Sequence, residues 1–178
     1  PQIQFKKTKN IISLISTINL KSLKQITKSK NICKAIPLPP IENKLGPVII
    51  CPPNKNAKKI FSKVGKVIEL NSEKISFNFW ATSSLMASYY EILNVTVNWL
   101  VKKGLKEKVA KDYISELFLA LSKDALIKQN LGFKKLVNDS QTPGGLNMQV
   151  LKELKKRQFY NKFIKSLNNV HKRFKISN

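Results

Sequence analysis

The sequence predicts an α/β fold followed by an all-α one, residues 1–72 and 73–178, on three observations. Short β-branched runs bounded by turn residues alternate with short amphipathic stretches through the first 72 positions. No proline stands between Asn71 and Pro143. Over that same length the apolar spacing becomes helical, with recurrences three and four residues apart.

Asn10-Ile11-Ile12-Ser13-Leu14-Ile15-Ser16 has the composition of a buried parallel strand, and Ile11 to Ser16 is the strand expected at the open edge of the sheet. Asn19 is placed to cap a helix through Leu20, Leu23 and Ile26, whose spacing of three puts them on one face. Ile32-Cys33-Lys34-Ala35-Ile36 reads as a strand stopped by Pro37-Leu38-Pro39-Pro40, and Pro47-Val48-Ile49-Ile50-Cys51 as one closed by Pro52-Pro53. Ala57 to Val64 is helical, and Lys66-Val67-Ile68-Glu69-Leu70 is a last strand. Elements in this order form part of an open α/β sheet.

Helices are then expected over 73–103, 106–129, 146–157 and 160–175. Gly104 stands where a helix-terminating glycine belongs. Phe163, Leu167, Val170 and Phe174 make one apolar stripe on the last helix. Ile75 to Val101 carries a single charge, Glu91, but Asn78, Thr82, Ser83, Ser84, Asn94 and Asn98 punctuate it too heavily for a membrane span. A helix buried at a subunit interface accounts for it better, with Glu91 paired to a lysine across that interface and Trp80 and Trp99 in core or interface.

The composition is basic, with 33 Lys plus Arg against 10 Asp plus Glu and a net charge of +23. Of the 33, 31 are Lys and two are Arg, Arg157 and Arg173. Arginine is the residue that forks onto phosphate and guanine, whereas lysine is a hydrated point charge. Lys, Asn and Ile make up more than a third of the chain, so the charge reads as lysine-rich surface, with a nucleic-acid-binding module kept as an alternative. Cys33 and Cys51 stand apart without a CxxC pattern, and His171 is the one histidine. No metal site and no disulfide framework is expected. The opening lacks a secretory h-region, and a cytoplasmic location is expected.

One segment carries chemistry. Asn138-Asp139-Ser140-Gln141-Thr142-Pro143-Gly144-Gly145-Leu146-Asn147 leads into a helix, and Pro-Gly-Gly before a helix start leaves backbone N–H groups free to face an anion such as a carboxylate. Taken alone the pattern is more often that of a plain turn.

Its setting adds to it. Thr142-Pro143-Gly144-Gly145-Leu146-Asn147 resembles the Ser-Pro-Gly-Gly-Thr-Thr signature of pyrroline-5-carboxylate reductases. Lys34-Ala35-Ile36-Pro37-Leu38-Pro39-Pro40 resembles that family's Arg-Ala-Met-Pro-Asn-Thr-Pro. Phe61-Ser62-Lys63-Val64-Gly65-Lys66-Val67 is similar to its Leu-Phe-Ser-x-Val-Gly-x-Val, Ile12 to Thr17 to one of its strands, and Pro1-Gln2 to the end of a Lys-Pro-Gln stretch.

The resemblance implies a partial Rossmann-like sheet joined to a C-terminal helical dimerisation domain. It also implies an NAD(P)H-dependent reductase that transfers hydride to the C=N bond of a cyclic imine carboxylate, giving L-proline. The nicotinamide end would rest near Ala35, Ile36, Pro37 and Leu38. The substrate carboxylate would sit at Thr142, Gly144, Gly145, Leu146 and Asn147, with Asn147 the hydrogen-bond donor in place of Thr. The partner implied is a second copy of the chain, joined through the helical half, with no specific nucleic acid and no membrane. The family's G-x-G-x-x-G fingerprint has no counterpart here, and the half that carries it is expected upstream of Pro1. Leu38 replaces an Asn, Asn147 replaces a Thr, and Ala81 to Ser88 lacks the Gly and Pro of a Ser-Gly-Ser-Gly-Pro-Ala segment. These departures keep open a noncatalytic or altered-substrate relative.

Overall fold

The computed structural model describes residues 9–176; Pro1-Gln2, which the resemblance uses, lies outside them. The chain forms two compact units, one made of the chain up to Ser84 together with the chain from Ser166 onward, the other of Leu85–Lys165.

The first unit is built on a four-stranded sheet in the order β1 (Ile11–Ser13), β2 (Ile32–Ile36), β3 (Pro47–Cys51), β4 (Lys66–Glu69). β1 and β2 run parallel, β2 and β3 antiparallel, and β3 and β4 parallel. Among the described residues β1 is therefore an edge strand. Helix α1 (Leu20–Thr27) starts at Asn19, whose side chain accepts from Ser22 N at 2.7 Å. Helix α2 (Lys55–Phe61) starts at Asn54, which accepts from Ala57 N at 3.0 Å. It begins two residues before the expected start because Asn54 supplies the cap.

Period-two alternation divides the sheet residues between two faces. Cys33, Ala35, Val48 and Ile50 pack with Ala57 and Phe61 of α2. On the opposite face Ile36, Ile49 and Ile68 pack with Phe77 and Trp80 of α3 (Glu73–Ser83) and with Phe174 of α8 (Phe159–Ile176). Phe77 stacks on Phe174 with ring centroids 5.5 Å apart and meets Trp80 edge-on at 5.4 Å. Both faces are covered, which is why the strands read as apolar runs.

Cys33 and Cys51 are fully buried free thiols. Burial, reinforced by Cys51, pushes the Cys33 thiol from 9.0 up to about 11. Above pH 9 the unfolded chain loses this proton while the folded chain keeps it, so stability is expected to fall as pH rises from 9 to 11. The loss attributable to Cys33 is about 2–3 kcal/mol at most. Lys34, shifted downward by burial, acts in the opposite sense as pH approaches 10.5. Urea unfolding of wild type and Cys33→Ala across this range isolates the thiol, because the difference between them should shrink with rising pH. A constant difference would remove Cys33 as its cause.

The second unit is helical: α4 (Met86–Lys102), α5 (Glu107–Ile127), α6 (Phe133–Asp139), α7 (Leu146–Lys156) and the first residues of α8. α4 and α5 form a hairpin about Val97, Ala110 and Ile114, with Leu93, Leu100 and Phe118 against them. The turn between them is closed by Gly104 at φ +96°, with Leu105 N donating to Leu100 O at 3.2 Å.

Two expectations need correction. The single helix expected over 73–103 is two helices, α3 and α4. At the break Thr82 Oγ1 and Ser83 Oγ bond to Phe79 O, and Ser84 Oγ bonds to Ala81 O. Hydroxyls that bond back to the preceding turn compete with the helical ladder. The segment between 129 and 146 contains a helix, α6, that short apolar spacing did not reveal. Secondary structure changes class at residue 73, but compactness divides the chain at Ser84. α3 and the later part of α8 belong with the sheet because their aromatic residues cover one of its faces.

Candidate active site

In the first unit α3 runs back across the sheet, bringing its C-terminal end to the β1–α1 loop and the end of β2. A cavity of about 330 Å³ lies there, within the size range of small-ligand sites. Ser16 and Thr17 of the β1–α1 loop line one side and Ile36 of β2 another. Trp80 and Ser83 of α3, Ser84 just beyond it and Phe174 of α8 complete the wall, and Arg173 stands at it. Trp80 is 3% exposed and its Nε1 is buried with no hydrogen-bond partner.

Of the four residues expected at the nicotinamide, Ile36 lines this cavity. Ala35 is on the opposite face of β2 and fully buried in the α2-side core. Pro37 is half-buried just beyond β2, and Leu38 precedes a 3₁₀ turn over Pro39–Asn43. There Leu38 occupies an N-cap position without a side-chain hydrogen bond, a bond that the asparagine of the family motif is able to supply.

Lys34 was not among the expected site residues. Its side chain is 0% exposed, on the α3 face of β2, two positions before Ile36. Its Nζ donates to Ser16 O at 2.9 Å, to Ile18 O at 2.7 Å and to Glu73 Oε1 at 3.2 Å. An ammonium has three hydrogens, and these are three acceptors. The Nζ also lies 4.1 Å from the Trp80 ring centroid, and the Glu73 carboxylate accepts from Leu20 N at 3.0 Å. Burial draws the Lys34 pKa below its ordinary value while Glu73 opposes that shift. The signal available in the sequence was a lysine inside an otherwise apolar strand, a place where an unpaired charge is too costly to remain.

In the second unit Thr142 to Gly145 form a tight turn, with Gly145 N donating to Thr142 O at 2.8 Å and Gly144 at φ +74°. Pro at the second turn position and a positive-φ Gly at the third define a type II turn. Gly145 caps α7, whose ladder begins with Gln149 N to Gly145 O at 3.1 Å. The N–H groups before that bond are the helix's open donors. A Cβ on Gly145 would lie 3.0 Å from Thr142 O, so the glycine is required for closeness, and Gly144 for its backbone angle. Leu146 is 79% exposed. Asn147 Nδ2 donates to Ser140 O at 3.2 Å, tying α7 to the end of α6, so one amide hydrogen of the expected donor is engaged within the chain.

Asp139 pairs with Lys135 of α6 at 2.9 Å, and Glu91 accepts from Asn94 on its own helix at 3.2 Å. Trp80 is a core residue, whereas Trp99 is 58% exposed. The described residues hold no group of three or more potential metal ligands. None of their helices is long and apolar enough to cross a membrane.

A four-stranded α/β sheet with a cavity at a strand end, followed in the chain by a helical segment, has the architecture of a Rossmann-like fragment with a C-terminal helical domain. Residues 73–176 match the family model described as pyrroline-5-carboxylate reductase dimerisation. The match spans more than half of the chain, and the chain belongs to the pyrroline-5-carboxylate reductase family.

No curated protein matches the sequence. Among solved structures, the chain is similar to the Plasmodium falciparum pyrroline carboxylate reductase with NADP bound. There the TM-score is 0.83 at 23% identity, over 96% of this chain and 70% of that one. For the pyrroline-5-carboxylate reductase of Coxiella burnetii the values are 0.81 and 22%, over 94% and 66%. For the 1-pyrroline-5-carboxylate reductase of Streptococcus pyogenes they are 0.84 and 17%, over 97% and 69%. These likenesses establish the fold, and the chain spans about two thirds of the length of these proteins.

Proposed function

We propose that this chain is the nicotinamide-side and helical part of an NAD(P)H-dependent reductase that converts a cyclic imine carboxylate to L-proline as a homodimer in the cytoplasm. The observation that carries the reading is the cavity beside Ile36, one of the four residues that the family resemblance implies for the nicotinamide. It fits such a group: hydroxyls at Ser16 and Thr17, apolar and aromatic walls at Ile36 and Phe174, and a buried, unpartnered indole N–H at Trp80. The cofactor would supply a hydride to the imine carbon, with a proton completing the amine at nitrogen. The protein's part is to orient and to hold charge. Ile36 and Phe174 would exclude water from the ring. The open N–H groups of α7, held by the Thr142–Gly145 turn, would receive the substrate carboxylate. The helical half of a second copy would complete the site.

Oxidation of L-proline with NADP or NAD by the full-length protein, followed by the appearance of reduced cofactor, tests this reading. Turnover is expected, and Gly144→Val should raise KM for proline by at least about tenfold, since a β-branched residue at φ +74° resets the turn. An unchanged KM in the variant would separate the turn from carboxylate binding. A second reading, a dimeric relative without turnover, draws on Asn147, whose amide is engaged by Ser140 O. A folded dimer that leaves proline untouched would select it.

A further inference from the structure

We propose that Lys34 is a positioning residue for the cavity beside Ile36: its ammonium ties the β1–α1 loop to the start of α3 and thereby sets the wall that receives the nicotinamide end of the cofactor. The cofactor part of this proposal rests on the functional reading above; the clamp itself does not.

The geometry assigns Lys34 this role through what it touches. Two of its three acceptors, Ser16 O and Ile18 O, belong to the loop between β1 and α1, and Ser16 and Thr17 are wall residues of the cavity. The third acceptor, Glu73, opens α3 and at the same time receives Leu20 N, the first residue of α1. The Trp80 ring under the ammonium is a further wall residue. One buried charge thus fixes three separate chain segments about a single space.

Stability is a poor explanation for such a charge. A buried ion loses its hydration, and replacing both members of a buried pair by apolar groups of similar volume is often neutral or stabilising, whereas removing one member alone is costly because the other is left uncompensated. The surroundings at Phe77, Trp80 and Ile49 are already an apolar core that would accept a methionine. What methionine lacks is the means to satisfy Ser16 O, Ile18 O and the Glu73 carboxylate, which would leave the loop free to turn its carbonyls, and Glu73 its carboxylate, toward water. The side chain therefore matters for the position of the loop more than for burial of the sheet.

The test uses the full-length protein with Lys34→Met and Lys34→Arg, reading three quantities. They are the affinity for NADPH from the cofactor's own emission, amide hydrogen exchange over residues 16–20, and the melting temperature. Lys34→Met is expected to bind NADPH at least about tenfold more weakly and to exchange at least about tenfold faster over 16–20, with the strands unchanged. Lys34→Arg, which can still donate to the same acceptors, should recover most of both. Unchanged affinity and exchange in Lys34→Met overturn the proposal. So does faster exchange spread evenly over all four strands with a matching fall in melting temperature, the behaviour of a plain core residue. If the full-length wild-type protein binds no NADPH, the cofactor reading fails, and exchange over 16–20 alone decides the clamp. Should Lys34→Met not fold, Glu73→Gln takes its place, since it keeps an acceptor but removes the charge. A smaller change in the same direction supports the clamp, and no change overturns it.

Discussion

Replacing Val95 and Trp99 together by glutamate is expected to convert a dimer into folded monomers. On α4, Val97 and Leu93 face α5, while Ile92, Val95 and Trp99 form a second apolar stripe at helical spacing. Val95 is 52% and Trp99 58% exposed. α5 carries another at Val109, Tyr113, Leu117 and Leu121, all exposed. Apolar surface this extensive is unusual on a monomer, and it falls within the residues that match a dimerisation domain. An aromatic anchor such as Trp99 contributes about 2 kcal/mol or more, and an unpaired charge buried at either position costs several more, so association should weaken by at least about a thousandfold. Sedimentation velocity with circular dichroism checks it: helicity retained, with the mass halved. A double variant that remains dimeric would place the partner on another face. Neither position touches the α4–α5 core, so loss of folding is not expected.

Gly65→Ala is expected to destabilise the protein by about 2–3 kcal/mol, the range seen when a well-packed site is overfilled. A Cβ at Gly65 would stand 2.8 Å from Gly46 O and 3.3 Å from Val48 Cγ2. Gly46 O cannot withdraw freely, because it accepts from Lys66 N at 3.0 Å as β4 begins. Gly46→Ala makes the comparison: it meets no atom within 4 Å but sits at φ +97°, and a cost of about 1 kcal/mol is expected. Urea midpoints for the two variants give the order directly. Equal midpoints would mean that the strand yields at Gly65.

The sheet was legible because its signals are local. β2 and β3 run over the residues that the proline stops imply, and Asn19 caps α1 through a side chain that sequence alone identifies. The Pro-Gly-Gly turn was equally legible, since Gly144 and Gly145 answer steric demands made within four residues. What escaped the reading depends on residues distant in sequence. Lys34 is marked in the sequence only by its place inside an apolar strand, and its role waits until Ser16, Ile18 and Glu73 are brought around it. The cavity beside Ile36 needs Phe174 as a wall, and no periodicity in the strand foretells that. The break at Ser84 is hidden differently: Thr82, Ser83 and Ser84 argue against a membrane span in the sequence, but that their hydroxyls bond to the carbonyls behind them shows only in the fold. Asn147 illustrates the limit for the candidate site. Its residue type indicated a donor, but the Ser140 carbonyl that occupies it became visible only with α6 in place.

The stack of Phe77 on Phe174 has a consequence for the order in which the protein is made. Phe77 and Trp80 leave the ribosome soon after the strands they cover, but the ring that completes their cluster is synthesised only after the helical unit. Until then one face of the sheet lacks part of its covering, in a chain whose β1 edge is open among the described residues. The second unit has no such dependence, because its α4–α5 hairpin closes on neighbours in sequence. Domains generally fold as units in the order of synthesis, yet here the unit begun first would be finished last.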